Sequence, residues 1–250
     1  RAMLDAATER FGANPRTALI EAQLLQNAGQ AQAAEALLGE AVAQYPRHRL
    51  LRYSYAQILV QNDKLREAAV HFTELLRLAP GDLETLYSLA LINLELEEYD
   101  LAEEQLRTLL DAGHRTHEAN FYLAAILESR EQLADALYHY QQIGPRSNAF
   151  LSAQRQIMRL FVALEQYPEA TAWRQQRSNE NSDLGPVMPA LHAEALINAD
   201  DTERAAAVLD EALKQYPDNI DLLFARTLLS EQQDNMQQAE QDLRHIKIGR

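Results

Sequence analysis

Residues 83–102 read LETLYSLALINLELEEYDLA, and this stretch decides the fold. Its leucines recur at the spacing of one face of a helix. It also holds two small residues twelve positions apart, Ala90 and Ala102. Both alanines recur elsewhere in the chain at a fixed interval, so we look for an internal repeat before estimating a number of domains.

An alanine recurs every 34 residues along almost the whole chain. The members of this column, with one inserted residue before the last two, are Ala34, Ala68, Ala102, Ala136, Ala170, Ala205 and Ala239. Prolines follow the alanine by twelve residues in three repeats, at Pro46, Pro80 and Pro217. A proline there ends one unit and opens the next helix, where its missing N–H costs nothing.

A second column of small residues precedes the first by twelve positions. Its members are Ala22, Ala56, Ala90, Ala124 and Ala193. Small residues at both columns allow two helices, A and then B, to approach closely within each repeat. Bulky residues fill the gap from helix B, at Leu38, Phe72, Leu106, Tyr140 and Leu209. One such hairpin cannot bury both of its faces, so its neighbours must stack on it.

The composition agrees with a helical stack and excludes several classes of site. The chain is 47% hydrophobic, with only eight Gly and eight Pro. Its net charge of −14 argues against nucleic acid as a partner. The chain has no cysteine, which excludes disulfides, cysteine-based zinc sites and cysteine nucleophiles. No apolar run approaches the ~20 residues that a membrane span needs.

The stretch at 83–102, together with EALKQYPDN at residues 211–219, resembles the consensus of the tetratricopeptide repeat. The resemblance extends over essentially the whole chain. It implies an all-α fold, a right-handed superhelical solenoid of antiparallel helix pairs. We expect residues 1–12 to form the second helix of a truncated repeat. We expect seven hairpins to follow, at about 15–48, 49–82, 83–116, 117–148, 149–181, 186–219 and 220–250.

The fifth repeat departs most from this pattern. Met158 replaces the small residue of helix A, and Arg174 replaces the bulky residue of helix B. The one-residue insertion follows, in the polar stretch 178–186 that ends in Gly-Pro. We predict a loop there, which is either a bend in the stack or simply a long connection between hairpins.

The resemblance also implies that positions two, five, nine and twelve of helix A line a concave binding face. From positions five and nine we predict partner binding by Tyr53, Gln57, Tyr87, Leu91, Phe121, Arg155 and Arg159. Such a face has an aromatic floor and a basic end, because aromatic and arginine side chains are enriched at binding hot spots. It suits a peptide with apolar side chains and an acidic group. The alternative is that the aromatic residues pack between neighbouring A helices.

We expect neither catalysis nor a cofactor. The sequence has no G-x-S-x-G, no P-loop and no G-x-G-x-x-G motif. His114 and His117 flank a predicted helix start, with Glu118 as a weak third ligand, and solvent-exposed histidines are the better interpretation. We therefore predict no metal site. The favoured function is a scaffold or adaptor that binds a partner protein or peptide.

Three stretches resemble a narrower group, the tetratricopeptide lipoproteins of bacterial outer membranes. They are residues 119–128, 140–144 and 221–231. One such lipoprotein is the adaptor of a carboxyl-terminal processing protease. This resemblance implies a lipid anchor upstream of the present sequence, a periplasmic location and the presentation of substrates to a partner protease. The alternatives are a non-catalytic tail of a larger enzyme, such as a metalloprotease or glycosyltransferase, and self-association of the stacks.

Overall fold

The computed structural model describes residues 14–248, so the helix predicted within residues 1–12 lies outside the described part. That part contains fourteen α-helices and no strand. The helices are α1 Pro15–Asn27, α2 Ala31–Gln44, α3 Arg49–Gln61, α4 Leu65–Leu78, α5 Leu83–Glu95, α6 Tyr99–Asp111, α7 Thr116–Ser129, α8 Leu133–Gln141, α9 Phe150–Ala163, α10 Tyr167–Glu180, α11 Leu184–Asn198, α12 Thr202–Gln215, α13 Ile220–Gln232 and α14 Met236–Ile248.

The chain divides between Arg115 and Thr116 into two compact units. Unit 1 contains α1 to α6, and unit 2 contains α7 to α14. Odd-numbered helices are the A helices of the repeats and even-numbered helices are the B helices. Within each unit, every helix packs against the next one along the chain, and in unit 2 the A helices α9, α11 and α13 also pack side by side. The all-α, tetratricopeptide-like fold class is therefore confirmed.

Side-chain caps begin several A helices at the same phase of the repeat. The Asn14 side chain accepts hydrogen bonds from the backbone N–H groups of Arg16 and Thr17, at 3.0 and 3.1 Å. The Asp82 carboxylate, 68 residues later, accepts one from the N–H of Thr85 at 3.2 Å. These bonds satisfy N–H groups that have no partner within the helix, so they fix where these A helices start.

The turn after each A helix contains one residue in the left-handed backbone conformation. These residues, with φ between 55° and 72°, are Gly29, Asp63, Glu97, Glu131, Glu165, Asp200 and Asp234. The next residue bonds back to the helix; the N–H of Gln132, for example, donates to the carbonyl oxygen of Leu127 at 2.9 Å. This is the Schellman arrangement, for which glycine is the usual residue. Six of these seven turns instead carry an acidic residue.

Both alanine columns lie in the core. Six of the seven alanines of the helix-B column have 0% exposure, and Ala239 has 4%. In the helix-A column Ala22 is 2% exposed, and Ala56, Ala90, Ala124 and Ala193 are each 0% exposed. The helices are thus in direct contact at these columns, where there is no space for a larger side chain.

The connection after the fifth repeat is shorter than the sequence predicted. Helix α10 continues to Glu180 and α11 begins at Leu184, so most of the expected loop at 178–186 is helical. Gly185 and Pro186 are the second and third residues of α11, where a proline needs no N–H partner. A Cβ at Gly185 would lie 2.4 Å from the hydroxyl oxygen of Tyr216, so any larger residue would displace the Tyr216 side chain.

The buried histidine of α11, His192, has a strongly lowered pKa. His192 is 3% exposed, and neither ring nitrogen has a hydrogen-bond partner among the described residues. Burial, and secondly the positive charge of Arg174, lower the pKa of His192 to about 4. The imidazole is therefore neutral in the folded protein at neutral pH.

Substitution Ala102→Leu tests the packing of the alanine column. We expect it to lower the free energy of unfolding by about 1–3 kcal/mol, because the added side chain overpacks a site with 0% exposure. Denaturant unfolding measures the change. Ala36→Leu, at an exposed position of α2, is the matched control and should leave stability nearly unchanged. An equal effect of both substitutions would contradict the tight contact between helices A and B.

The His192 environment predicts a loss of stability in acid. Its pKa in the folded protein is below the value of 6.5 for an unperturbed histidine, so the unfolded chain binds the proton first and acid favours unfolding. The loss should grow as the pH falls from about 6.5 towards 4 and reach about 3 kcal/mol. We would compare wild type with His192→Leu by urea unfolding across this range. A parallel loss of stability in both proteins would show that His192 is not responsible.

Candidate protein-binding surfaces

In unit 1, three of the predicted binding residues come together beside the A helices. Tyr53 and Gln57 on α3 and Leu91 on α5 line a groove of about 320 Å³. Tyr53 is half-buried, and its ring meets the buried ring of Phe72 edge-on, with centroids 5.8 Å apart. Tyr53 therefore belongs partly to the packing between α3 and α4.

Tyr87, the other predicted aromatic of unit 1, interacts with a cation. The guanidinium carbon of Arg115 lies 4.8 Å from the centroid of the Tyr87 ring. Arg115 is oriented by Glu84, whose carboxylate accepts hydrogen bonds from its Nε and Nη2 at 3.1 and 3.0 Å. The ring face of Tyr87 is therefore already in a cation–π contact within unit 1.

In unit 2, the predicted aromatic residue packs on its own hairpin. Phe121 on α7 is half-buried, and its ring meets Tyr140 of α8 at 5.5 Å and Tyr122 at 6.0 Å, both edge-on. Burial raises the pKa of Tyr140 to about 12, so its hydroxyl stays protonated. Phe121 therefore packs against helix B of its own hairpin, and neither ring contact reaches a neighbouring A helix.

The two predicted arginines of unit 2 are both paired with carboxylates of neighbouring A helices. Arg155 forms an ion pair with Glu194 on α11, and Arg159 forms one with Glu128 on α7. The Nε of Arg159 also donates to the side-chain oxygen of Gln156 at 2.8 Å. The predicted basic end is therefore neutralised within unit 2, because acidic residues 39 and 31 positions away along the chain fold back onto it.

A wider groove lies across three consecutive A helices of unit 2, and we call it the unit-2 groove. It encloses about 460 Å³ between α9, α11 and α13. Its lining residues are Leu151, Ser152, Arg155, Val187, Ala190, Leu191, Glu194, Asp221, Phe224, Ala225 and Leu228. Most of these side chains occupy positions two, five and nine of helix A, the positions that the family resemblance assigns to a binding face.

The unit-2 groove has an apolar floor and a polar rim. Leu151 and Phe224, which both line this groove, are each 53% exposed. The Arg155–Glu194 pair and the Asp221 carboxylate lie along the rim. Phe224 stands at position five of its repeat, as Tyr53 and Phe121 do in theirs, but it was not among the predicted binding residues. Its selection depends on the clustering of apolar side chains from three helices, which only the fold reveals.

The two histidines considered as metal ligands, His114 and His117, each contact one neighbouring group. The Nε2 of His114 lies 3.2 Å from a carboxylate oxygen of Glu84, and the Nδ1 of His117 accepts a hydrogen bond from the Gly144 N–H at 3.3 Å. Within residues 14–248, no group of three His, Cys, Asp or Glu side chains is arranged to hold a metal ion. No described helix is both long and apolar enough to cross a bilayer.

Comparison with known proteins agrees with this architecture. The family model for the tetratricopeptide repeat matches residues 19–82, 87–149 and 191–247. The TPR repeat-containing protein PA4667 of Pseudomonas aeruginosa is 34% identical over 128 residues, which are 51% of this chain and 22% of that protein. The chain therefore corresponds to less than a quarter of this relative's length.

Two solved structures have the same fold. A tetratricopeptide repeat protein from Parabacteroides merdae aligns with a TM-score of 0.59 and 16% identity, over 92% of this chain and 90% of that one. YrrB, a TPR protein with an unusual peptide-binding site, aligns with a TM-score of 0.51 and 18% identity, over 76% of this chain and 97% of that one. Because the family model covers more than half of its residues, this chain belongs to the tetratricopeptide repeat family.

Proposed function

We propose that this chain is an interaction module that binds an extended segment of a partner protein in the unit-2 groove. Tetratricopeptide proteins are in general non-catalytic scaffolds for protein–protein interaction. The observation that carries the proposal is the apolar cluster of the groove, in which Leu151 and Phe224 are each about half exposed. A partner's apolar side chain would remove both from water, which favours binding.

The shape of the unit-2 groove supports an extended ligand. Its walls come from α9, α11 and α13, which lie side by side, so a segment that crosses them contacts each helix in turn. Solenoids commonly bind along such faces. YrrB, which shares the fold, has a peptide-binding site, and we extend peptide binding to this chain as part of the proposal.

The charges along the rim favour a basic partner segment over the acidic one that the sequence suggested. Arg155 is neutralised by Glu194, which leaves the Asp221 carboxylate as an additional negative charge beside the groove. The whole chain carries a net charge of −14, which adds a long-range attraction for cations. We therefore propose a segment that alternates large apolar residues with lysine or arginine.

The finer proposal is that the chain is an adaptor that presents substrates to a protease in a bacterial periplasm. It rests on the resemblance of residues 119–128, 140–144 and 221–231 to outer-membrane tetratricopeptide lipoproteins. The last of these stretches lies in α13, whose Asp221, Phe224 and Leu228 line the unit-2 groove. The resemblance and the groove thus involve the same helix.

Binding of labelled peptides tests the groove. We would measure fluorescence anisotropy with a ten-residue peptide of alternating Phe and Lys, and with its Phe–Glu counterpart. The Lys peptide should bind more tightly. Phe224→Ala should weaken its binding about tenfold, because this side chain has the exposure and position of a hot-spot residue.

The matched control is Tyr138→Ala. Tyr138 is an aromatic residue of the same unit with 59% exposure, but it lies on the B helix α8, away from the groove. This substitution should leave the dissociation constant unchanged. Equal weakening by both substitutions, or none by Phe224→Ala, would contradict the proposed site.

The finer proposal needs a different measurement. Wild type and Tyr138→Ala should both capture a protease from a bacterial envelope extract, identified by mass spectrometry, and Phe224→Ala should not. If peptide binding behaves as expected but no protease is captured, the groove assignment stands and the protease-adaptor proposal is wrong.

A further inference from the structure

The fifth repeat buries a charge at a position that is apolar in the other repeats. The helix-B column holds Leu38, Phe72, Leu106, Tyr140 and Leu209, each with at most 2% exposure. In α10 the same position is Arg174, with 7% exposure. Burial of a guanidinium is costly unless its N–H groups are hydrogen-bonded. The presence of an arginine at this buried position therefore needs a physical explanation.

Arg174 lies in the wall of a small cavity in unit 2, which we call the Arg174 pocket. The cavity has a volume of about 310 Å³, between α10, the start of α11 and the end of α12. Ser178, Asn179 and Tyr216 give it a largely polar lining. None of its residues lines the unit-2 groove, so the two sites are separate.

The hydrogen bonds of Arg174 are incomplete. Its Nη2 donates to a carboxylate oxygen of Glu211 at 2.9 Å. Its Nε is buried and has no acceptor among the described residues. The Glu211 side chain is 57% exposed, so it lies at the mouth of the pocket and can turn outward into solvent. Among the described residues, one donor of the guanidinium thus lacks an oxygen partner, and the carboxylate that pairs with Nη2 lies at the surface.

The opposite wall is built from the first turn of α11. Gly185 lies so close to the Tyr216 hydroxyl that a Cβ would be 2.4 Å from its oxygen. This contact places a hydroxyl beside the amino end of a fifteen-residue helix. The partial positive charge of that helix end favours an anion there. Arginine, hydroxyl and helix start therefore all favour an oxygen ligand with negative charge.

We propose that the Arg174 pocket binds a carboxylate group of a ligand. A guanidinium binds carboxylates through paired N–H donors, and the buried Nε–H of Arg174 has no acceptor among the described residues. A singly charged group suits this site better than phosphate, because the pocket has one cationic side chain and the chain has a net charge of −14. The carboxylate comes either from the free carboxyl end of a polypeptide or from a small organic acid.

The Nε–H resonance of Arg174 reports directly on binding. We would titrate the ¹⁵N-labelled chain with acetate and follow this resonance, assigned by its absence in Arg174→Leu. Wild type should show a saturable shift. Glu211→Gln should bind acetate several-fold more tightly, since the competing negative charge is removed. Absence of a saturable shift in both proteins would overturn the proposal.

Arg174→Leu is the matched negative variant. It places at this position the residue that four other repeats carry there, so the fold is expected to persist, and a thermal unfolding curve checks this. Saturable acetate-induced shifts of the Ser178, Asn179 and Gly185 amides should disappear in the variant. Their persistence would show that acetate binds without Arg174, and the proposal would be wrong.

Two further ligands distinguish the sources of the carboxylate. Triglycine that binds more tightly than acetate, with no binding of its carboxyl-terminal amide, would identify a polypeptide end. Acetate that binds as tightly as triglycine would identify a small acid. Equal binding of triglycine and its amide, or tighter binding of inorganic phosphate than of acetate, would contradict recognition of a carboxylate.

Discussion

The close contact between helices A and B at the two alanine columns is the constraint on which the remaining structure depends. These positions have almost no exposure, so the small size of the alanine side chains sets the distance between the two helices of each hairpin. The bulky helix-B residues can fill the gap beside them only at that distance. The stacking of hairpins, and the alignment of A helices that forms the unit-2 groove, follow from the same contact repeated along the chain.

The fifth repeat departs from this rule on both helices, and one of the two departures, Arg174, lines the Arg174 pocket. Met158 is fully buried where other repeats have alanine, and Arg174 is buried where they have an apolar side chain. His192, whose pKa is lowered partly by Arg174, belongs to the same region. Proteins usually break their own packing rules where a site demands it. The repeat with the poorest match to the pattern is therefore the one with the most distinctive chemistry.

The sequence predicted the fold well because the contacts that hold each hairpin together join residues close in the chain. The same contacts recur every 34 residues, so they leave a visible period in the sequence. It predicted the site only in part. The column that contains Phe224 was identified from the repeat register, but the pairing of Arg155 with Glu194 joins residues 39 positions apart and depends on the packing of α9 against α11. The Gly185–Pro186 pair was interpreted as a loop, although both residues are also compatible with a first helical turn. Local composition cannot distinguish these cases.

The acidic turns after the A helices lower the stability of the folded protein. A residue other than glycine in the left-handed conformation lowers the free energy of unfolding by roughly 1 kcal/mol. Six such turns recur through the described chain. None of the six lines the unit-2 groove or the Arg174 pocket. The stability of the protein can thus be raised by substitutions at positions that line neither proposed site. Glycine at these turns, other than at Asp200, whose carboxylate accepts a hydrogen bond from the Gln232 side chain, offers a route to a heat-resistant form in which both proposed sites are unaltered.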